Sequence, residues 1–503
     1  MVVSIKSATV VGLTVFEINV EVDTVNSIPQ VAIIGLGDTA ISEAKERLRL
    51  AIKNSGFSFP QTKVVINLAP ADIKKEGTGF DLAMAVGILA REGIVKNFDA
   101  KTIAFIGELS LDGSLRAVNG VLPIVCGLSD LGIKKVIVPF ENLKEASFIN
   151  EVETLGAENL SQVVSYLNNE GELKKLKQNI EDFLNDEEDY PVDFANVKGQ
   201  TAAKRALEIA AAGAHNVLMS GSPGSGKTML SKAFMSILPP LTPKEAIELT
   251  KIYSISGLLD RTKPLITSRP FRSPHHSASA VGIIGGGSTP KPGEITLAHR
   301  GVLFLDEMVE FPRATLEVLR QPLEDNVVTI SRAQTSVQYP ANFILLGAMN
   351  PCPCGFLGDS KKECKCTEFQ INRYRSRLSG PLLDRIDIQI NVQRLSEEEL
   401  LSYELSGDTS KEIKKRVVAA RKIQEERSKN DGLLTNSELT SKLIKKYCKI
   451  DADSTKFLKN AINRFNLSAR AFDRILKISR TIADLEASAD ITVSHIAQAL
   501  QLR

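Results

Sequence analysis

Gly221-Ser-Pro-Gly-Ser-Gly-Lys-Thr228 fits the pattern G-x-x-x-x-G-K-[ST], and the α/β fold class follows from it. In this pattern the glycines let successive backbone N–H groups turn inward around phosphates. Gly221, Ser222, Pro223, Gly224, Ser225 and Gly226 would form the cradle, and Lys227 would bridge the terminal phosphates. Thr228 would offer its hydroxyl to Mg²⁺. An apolar run, Val217-Leu-Met219, precedes the loop, and helical spacing over Met229 to Ile237 follows it. The loop needs this context, because a helix N-terminus adds its positive end to an anion site.

Working outward, Gly301-Val-Leu-Phe-Leu-Asp-Glu307 reads as a buried strand ending in two carboxylates, about 80 residues after the loop. Asp306 would hold Mg²⁺, and Glu307 would polarise the attacking water as general base. Ile344-Leu-Leu-Gly-Ala-Met-Asn350 is a second such strand, and its terminal amide, Asn350, would orient that water. Arg385, in Leu382-Leu-Asp-Arg-Ile-Asp387, has two readings. It reaches the γ-phosphate of a neighbouring subunit, or it forms a surface ion pair with Asp384 or Asp387. Arg470, in Ser468-Ala-Arg470, either reaches the nucleotide from a helical lid or is a solvated helix residue. A cation acting in trans requires a ring, so a hexamer is expected.

With 503 residues the chain predicts about three domains, and 43% hydrophobic with 24% charged residues is an ordinary globular composition. Net charge is only +2, so any nucleic-acid binding must come from local patches. The absence of Trp argues against gripping single strands mainly by base stacking. Met1 to Glu21 lacks the pattern of a signal peptide, and no apolar run is long enough to span a bilayer. A cytoplasmic location and no membrane partner are expected.

Residues 1–167 alternate β-rich and helical stretches. Strands are predicted at Phe16–Val22, Lys63–Leu68, Thr102–Ile106 and Lys135–Val138, with helices at Ala40–Asn54 and Asp81–Arg91. Residues 168–193, with Asp186-Glu-Glu-Asp189, read as a charged linker. Residues 194–395 carry every nucleotide signature, and 396–503 are mostly helical. The basic stretch around Lys414, Arg416, Arg421 and Lys422 precedes Glu425 and Glu426 at helical spacing, as in a salt-bridged exposed helix.

Four of the six cysteines cluster as Cys352-Pro-Cys354 and Cys364-Lys-Cys366. Four thiolates this close can close a tetrahedral Zn²⁺ site, although C-x-C is tighter than the usual spacing; reduced thiols or a redox pair are the alternatives. His275 and His276 stand in a Pro-containing loop and are read as loop structure or as phosphate contacts.

Several longer strings carry a family resemblance: Asp193-Phe-Ala-Asn-Val-Lys-Gly-Gln200, Ala210-Ala-Ala-Gly-Ala-His-Asn216 and Arg269-Pro-Phe-Arg-Ser-Pro-His-His276. Lys291-Pro-Gly-Glu-Ile-Thr-Leu-Ala-His299, Met349-Asn-Pro-Cys-Pro-Cys-Gly355 and Ser468-Ala-Arg-Ala-Phe-Asp-Arg474 add to it. Together they resemble the Mg-chelatase-like AAA+ ATPases of the ComM/YifB type. The resemblance implies a P-loop core with a parallel sheet and a helical lid. It also implies a ring-forming ATP-driven motor that remodels single-stranded or branched DNA in natural transformation, working with recombination proteins. Val197 to Gln200 would then sit near the adenine. The insert at Ser277–Ala298 and the hairpin around Asn326–Gln338 would face the pore, making Lys291, Arg300 and Arg332 the DNA-contact candidates.

The N-terminal region resembles the proteolytic domain of Lon-type proteases. Gly79 falls at the position of the nucleophilic serine and Leu122 at that of the lysine, so the resemblance implies a catalytically dead scaffold. Two rival functions remain at this stage: an ATP-gated adaptor or chaperone for proteins, and the motor subunit of a metal chelatase.

Overall fold

A computed structural model describes the chain except for Met1, Leu36, Glu76, Asn97, 185–189, 288–289, 332–335, 397–398, 400–406, Asn466 and Arg503. Two compact units emerge: Met1–Asp186 with Thr242–Thr267, and Glu187–Leu241 with Ser268–Arg503.

The first unit is built on an eight-stranded mixed sheet of order β10-β9-β8-β5-β1-β2-β4-β3. Its strands are β1 (Val3–Val11), β2 (Thr14–Val25), β3 (Gln30–Ile34), β4 (Lys63–Ala69) and β5 (Ile103–Phe105). After a small ribbon of β6 (Glu108–Leu109) and β7 (Leu115–Arg116) come β8 (Lys135–Pro139), β9 (Glu153–Ala157) and β10 (Lys174–Lys175). In β2 the alternation Ile18, Val20, Val22 turns one face inward, and all three are fully buried. The predicted helices form at Thr39–Asn54, where Asp38 caps the N-terminus, and at Asp81–Arg91.

Two boundaries differ from expectation. The stretch read as a linker from 168 contributes β10, which pairs antiparallel with β9, while its acidic run lies outside the described residues. Thr242–Thr267 lies within the stretch assigned to the nucleotide core, yet it folds with the first unit. Its helix, Pro243–Ser256, starts with a Thr242/Glu245 capping box and Pro at the first turn, and ends at Gly257 in the left-handed region. The helix packs against the Val121–Asp130 helix. Glu145 ties the two together: its buried carboxylate accepts the Leu122 N–H at 3.0 Å, Asn142 Nδ2 at 3.2 Å and the Ser254 hydroxyl. Burial pushes the Glu145 carboxyl up, against the pull of these donors.

The second unit has a five-stranded, wholly parallel sheet of order β12-β15-β18-β11-β19. These are β11 (Val217–Ser220), β12 (Phe271–Arg272), β15 (Val302–Leu305), β18 (Ile344–Met349) and β19 (Ile388–Asn391). Two hairpins stand apart from it, β13 (Gly285–Gly286) with β14 (Lys291–Pro292), and β16 (Val327–Ser331) with β17 (Ser336–Pro340). The three central strands read as buried apolar runs, Val302–Leu305, Ile344–Met349 and Val217–Met219, as strands covered on both faces do, whereas the edge strands β12 and β19 carry polar residues.

The C-terminal helices do not form a separate core. Ile413, Val417, Ile475 and Ile482 pack into the same cluster as Val217, Leu230 and Phe304. Asp193 and Ser410 staple the start of this unit to the long Ser410–Ser428 helix, Asp193 accepting the Ser410 N–H at 3.1 Å. Arg416 pairs with Glu208 and Asp408, and Arg421 donates to the Ala211 carbonyl. These cations therefore hold the helix to the core, whereas the sequence suggested pairing along it with Glu425 and Glu426.

Replacing Glu145 by Ala orphans the buried Leu122 N–H, which should cost about 1–3 kcal/mol. The expected result is a lower melting temperature for the first unit and early protease cleavage within 242–267. An unchanged melt would show that the helix needs no such anchor.

Candidate nucleotide site and cysteine centre

In a parallel sheet, loops leaving the C-terminal ends of adjacent strands meet at one edge. β15, β18 and β11 are adjacent, so their ends bring Asp306, Asn350 and the Gly221–Thr228 loop together. Gly226 has φ +96° and caps the helix Lys227–Phe234, a conformation that L side chains avoid. A Cβ on Gly221 would lie 2.3 Å from the Val392 carbonyl oxygen, so a larger residue cannot close this loop.

Lys227 Nζ donates to the carbonyls of Gly221 at 2.6 Å and Ser222 at 3.0 Å, and lies 3.4 Å from Asn350 Oδ1. Burial pulls its ammonium below the usual lysine range, with Asp306 and Glu307 pulling it back up. Thr228 Oγ1 donates to Asp306 Oδ2 at 2.9 Å, and the other Asp306 oxygen accepts the Glu307 N–H at 2.9 Å. The hydroxyl–carboxylate pair is the hard-oxygen donor set that suits Mg²⁺. Glu307 sits at φ +48°, a strained backbone for a non-glycine residue, and its side chain is exposed. Gln200 Nε2 donates to the Gln393 carbonyl at 2.6 Å and approaches that of Ser225 at 3.4 Å, which brings the Val197–Gln200 segment beside the loop; Val197 itself is buried.

Two members of this neighbourhood were not legible as such. His276, read as loop structure or a phosphate contact, has Nδ1 3.6 Å from Glu307 Oε2 and its ring against His275 at 4.0 Å between centroids. Asp359, which no motif singles out, has a fully shielded side chain. The neighbouring Ser222 hydroxyl, followed by the Lys361 N–H, holds its carboxyl down to about 2. Arg394 lies 3.5 Å away.

The four clustered cysteines converge. Sγ–Sγ distances are 3.4 Å for Cys352–Cys354, and 3.6 Å for both Cys352–Cys364 and Cys354–Cys364. All four sulfurs, including that of Cys366, lie within 4.8 Å of one another and none is in a disulfide. Zn–S bonds of roughly 2.3 Å imply tetrahedral edges of about 3.8 Å, so the donor set fits a metal of zinc's size. Backbone N–H groups of Phe356 and Lys365 pull the Cys354 thiol down to about 6, whereas at Cys364, against the pull of the Cys366 N–H, burial and the neighbouring thiols push the thiol up to about 12. The same loop leans on the nucleotide site: a Cβ on Gly355 would lie 2.7 Å from Pro223 Cδ.

The two arginines lie elsewhere. Arg385 precedes β19, and its carbonyl accepts from Asn216 Nδ2 at 3.1 Å, which places it at the N-terminal edge of the sheet. The four residues of β11 separate that edge from the P-loop by about 13 Å. Arg470 meets Arg385 there, since both pair with Glu324, Arg470 at 3.5 Å. The surface pairs weighed for Arg385 have other owners, Asp384 with Arg474 at 3.2 Å and Asp387 beside His215 at 3.6 Å. The lid therefore carries Arg470 to the edge of the sheet opposite its own P-loop, not toward it.

Of the DNA-contact candidates, Lys291 is exposed on β14 and Arg332 lies outside the described residues. Arg300 is turned inward, its guanidinium 3.9 Å from Glu438, so it serves the fold instead. The two hairpins touch: Tyr339 donates its hydroxyl to the Pro290 carbonyl at 2.7 Å, and its ring is buried. In the first unit, Gly79 has open space where a Cβ would stand and Leu122 is fully buried, so neither position of the protease dyad holds reactive chemistry.

Two outcomes follow from this geometry. The purified protein should carry about one zinc per chain, lost in Cys354→Ser and Cys364→Ser variants by elemental analysis; metal-free wild type would leave four plain thiols. His276→Ala should lower kcat for nucleotide turnover by about tenfold, the size of one charged contact, with KM little changed. Equal kcat would remove His276 from the site.

Comparison with known proteins agrees with these features. The family described as "Magnesium chelatase, subunit ChlI" matches residues 193–400, "Subunit ChlI of Mg-chelatase" matches 20–142, and the ChlI C-terminal family matches 407–503. Competence protein ComM of Haemophilus influenzae is 42% identical over 97% of this chain and 94% of its own length. The uncharacterised YifB of Salmonella typhimurium is 40% identical over 98% and 95%. Lon protease 2 of Bacillus subtilis is 33% identical over 19% of this chain and 17% of its own. With a P-loop, two acidic residues and a sensor amide on one sheet edge, the chain belongs to the Mg-chelatase-like AAA+ family of the ComM/YifB type.

Proposed function

We propose that this protein is an ATP-hydrolysing motor that assembles into a hexameric ring and remodels single-stranded or branched DNA. The observation that carries the ATPase reading is the convergence of Thr228 on Asp306 at 2.9 Å beside the strained Glu307. Lys227 and the loop amides bind and orient the phosphates, while Glu307 takes the proton of the attacking water and Asn350 holds that water in line. Thr228 and Asp306 would hold Mg²⁺, which supplies charge neutralisation on the phosphates. Arg385 and Arg470 stand at the far edge of the sheet, where they serve the nucleotide of an adjoining copy; this supports the ring.

The DNA reading is supported by similarity to a competence protein along nearly the whole chain. The two hairpins joined through Tyr339, with Lys291 exposed, are its suggested contact surface. A cysteine-bound Zn²⁺ would brace the loop that packs on Pro223. The first unit acts as a docking module, and recombination proteins are the partners expected in the cytoplasm. Among the described residues no helix is long and apolar enough to cross a membrane.

The test is steady-state ATP turnover without DNA, with single-stranded DNA and with a four-way junction, at low salt where phosphate contacts are strongest. DNA should stimulate turnover. Glu307→Gln should retain nucleotide binding and lose about 10²–10⁴ in rate, whereas Lys227→Ala should lose binding. Turnover indifferent to every DNA would favour an adaptor acting on proteins.

A further inference from the structure

At the N-terminal edge of the second unit's sheet lies a cavity of about 430 Å³ lined by Glu324, Arg385, Arg470 and Arg474 among others. Most of its charges are already committed. Arg474 pairs with Asp384 and donates to the Ile386 carbonyl at 2.6 Å, and Lys477 donates to the Ser437 carbonyl at 2.8 Å. Two guanidiniums, Arg385 and Arg470, share one carboxylate, that of Glu324, and Arg385 also donates to the Pro381 carbonyl at 2.7 Å.

The balance is uneven in a specific way. The Arg385 side chain is 12% exposed, and its Nε is buried without a hydrogen-bond partner, as is that of Arg320. Burial, followed by repulsion from Arg470 and Arg320, pulls the Arg385 pKa down. Buried donors without acceptors and crowded like charges both call for more negative charge than one half-exposed carboxylate supplies. A phosphate, with three acceptor oxygens, suits paired guanidiniums better than a carboxylate does.

Glu324 is also well placed to report its own displacement. It lies on the short helix Arg320–Asp325, which ends at Asn326 with φ +55° and turns directly into β16. Asn326 closes the base of the β16–β17 hairpin by accepting the Ala341 N–H at 2.7 Å.

We infer that Glu324 is an internal stand-in for nucleotide phosphate: it occupies Arg385 and Arg470 until the phosphates of a nucleotide held by a second copy displace it, freeing the helix that carries the β16–β17 hairpin. This rests on the ring and ATPase reading above. It adds a route by which the neighbour's nucleotide state reaches the hairpin, through an exchange of one anion for another on the same cations.

The experiment compares ATP turnover of wild type, Glu324→Gln, Arg385→Ala and the double variant at one protein concentration. Glu324→Gln should run about two- to fivefold faster than wild type without DNA, the range set by a part-exposed ion pair. Its effect should shrink in the Arg385→Ala background, because only the contact with Arg470 is then left to release. Additive effects would mean that Glu324 merely supports the fold, and would overturn the inference. A slow Arg385→Ala with an unaccelerated Glu324→Gln would overturn it while leaving the trans-acting arginine intact. Arg385→Ala as fast as wild type would sink that arginine's role and the exchange with it. A second readout is hydrogen exchange over residues 320–331 in the Glu307→Gln protein, which should quicken when Mg-ATP is added to assembled rings. The same quickening in dilute monomer would assign the anion to free nucleotide and overturn the role of the second copy.

Discussion

The parallel register of β15, β18 and β11 is the constraint on which the rest depends. Three neighbouring strands leave one sheet edge at the same level, and each delivers a different polar group: a carboxylate pair, an amide and a glycine loop. The apolar runs Val302–Leu305, Val217–Met219 and Ile344–Met349 are buried on both faces. A one-residue slip would exchange the two faces of such a strand and mismatch the side chains packed against each. The geometry between Thr228, Asp306, Lys227 and Asn350 is thus enforced by hydrophobic packing beneath the site, more than by the polar contacts within it.

Polarity of the sheet divides the labour. One edge collects the Gly221–Thr228 loop, Asp306, Glu307 and Asn350, and the other collects Arg385, Arg470 and Glu324. A single copy does not close that gap across its own sheet; in the proposed ring, copies arranged head to tail would place the second edge of one on the first edge of the next. Heterologous contacts of this kind close into rings when the rotation permits. The cysteine loop belongs to the first edge: it follows Asn350 directly, touches Pro223 through Gly355, and adds Asp359 beside Ser222. A metal there would stiffen the loop that the phosphates rest on.

The chain path adds a mechanical feature. Thr242–Thr267 leaves the second unit shortly after the P-loop helix and returns just before β12, so the first unit is joined to the nucleotide core by three segments of chain, not one. Glu145, buried and accepting from Leu122 and Ser254, fastens this excursion within the first unit. Gly79 and Leu122, which stand at the positions of the protease dyad, lie in this same unit and carry no nucleophile or amine.

What the sequence determined by itself was local in nature. The glycine loop, the two acidic residues after an apolar run, the strand ending at Asn350 and the clustering of the four cysteines were legible because backbone conformation and ligand chemistry favour particular residue types at fixed short spacings. The helices Asp81–Arg91 and Thr39–Asn54 and the strand at Lys63 were legible for the same reason, through apolar periodicity. Tertiary structure alone decided the rest. Nothing local distinguishes the Pro243–Ser256 helix from one packed in the nucleotide core, since an amphipathic stripe specifies a partner surface but not which one. Arg300 and Lys291 read alike as basic residues beside an insert, until folding turned one toward Glu438 and left the other in solvent. Likewise His276, Asp359 and Glu324 owe their surroundings to neighbours between about 30 and 150 residues away, as His276 does to Glu307 and Glu324 to Arg470. Contacts over such separations arise when the sheet closes, and no spacing rule along the chain encodes them.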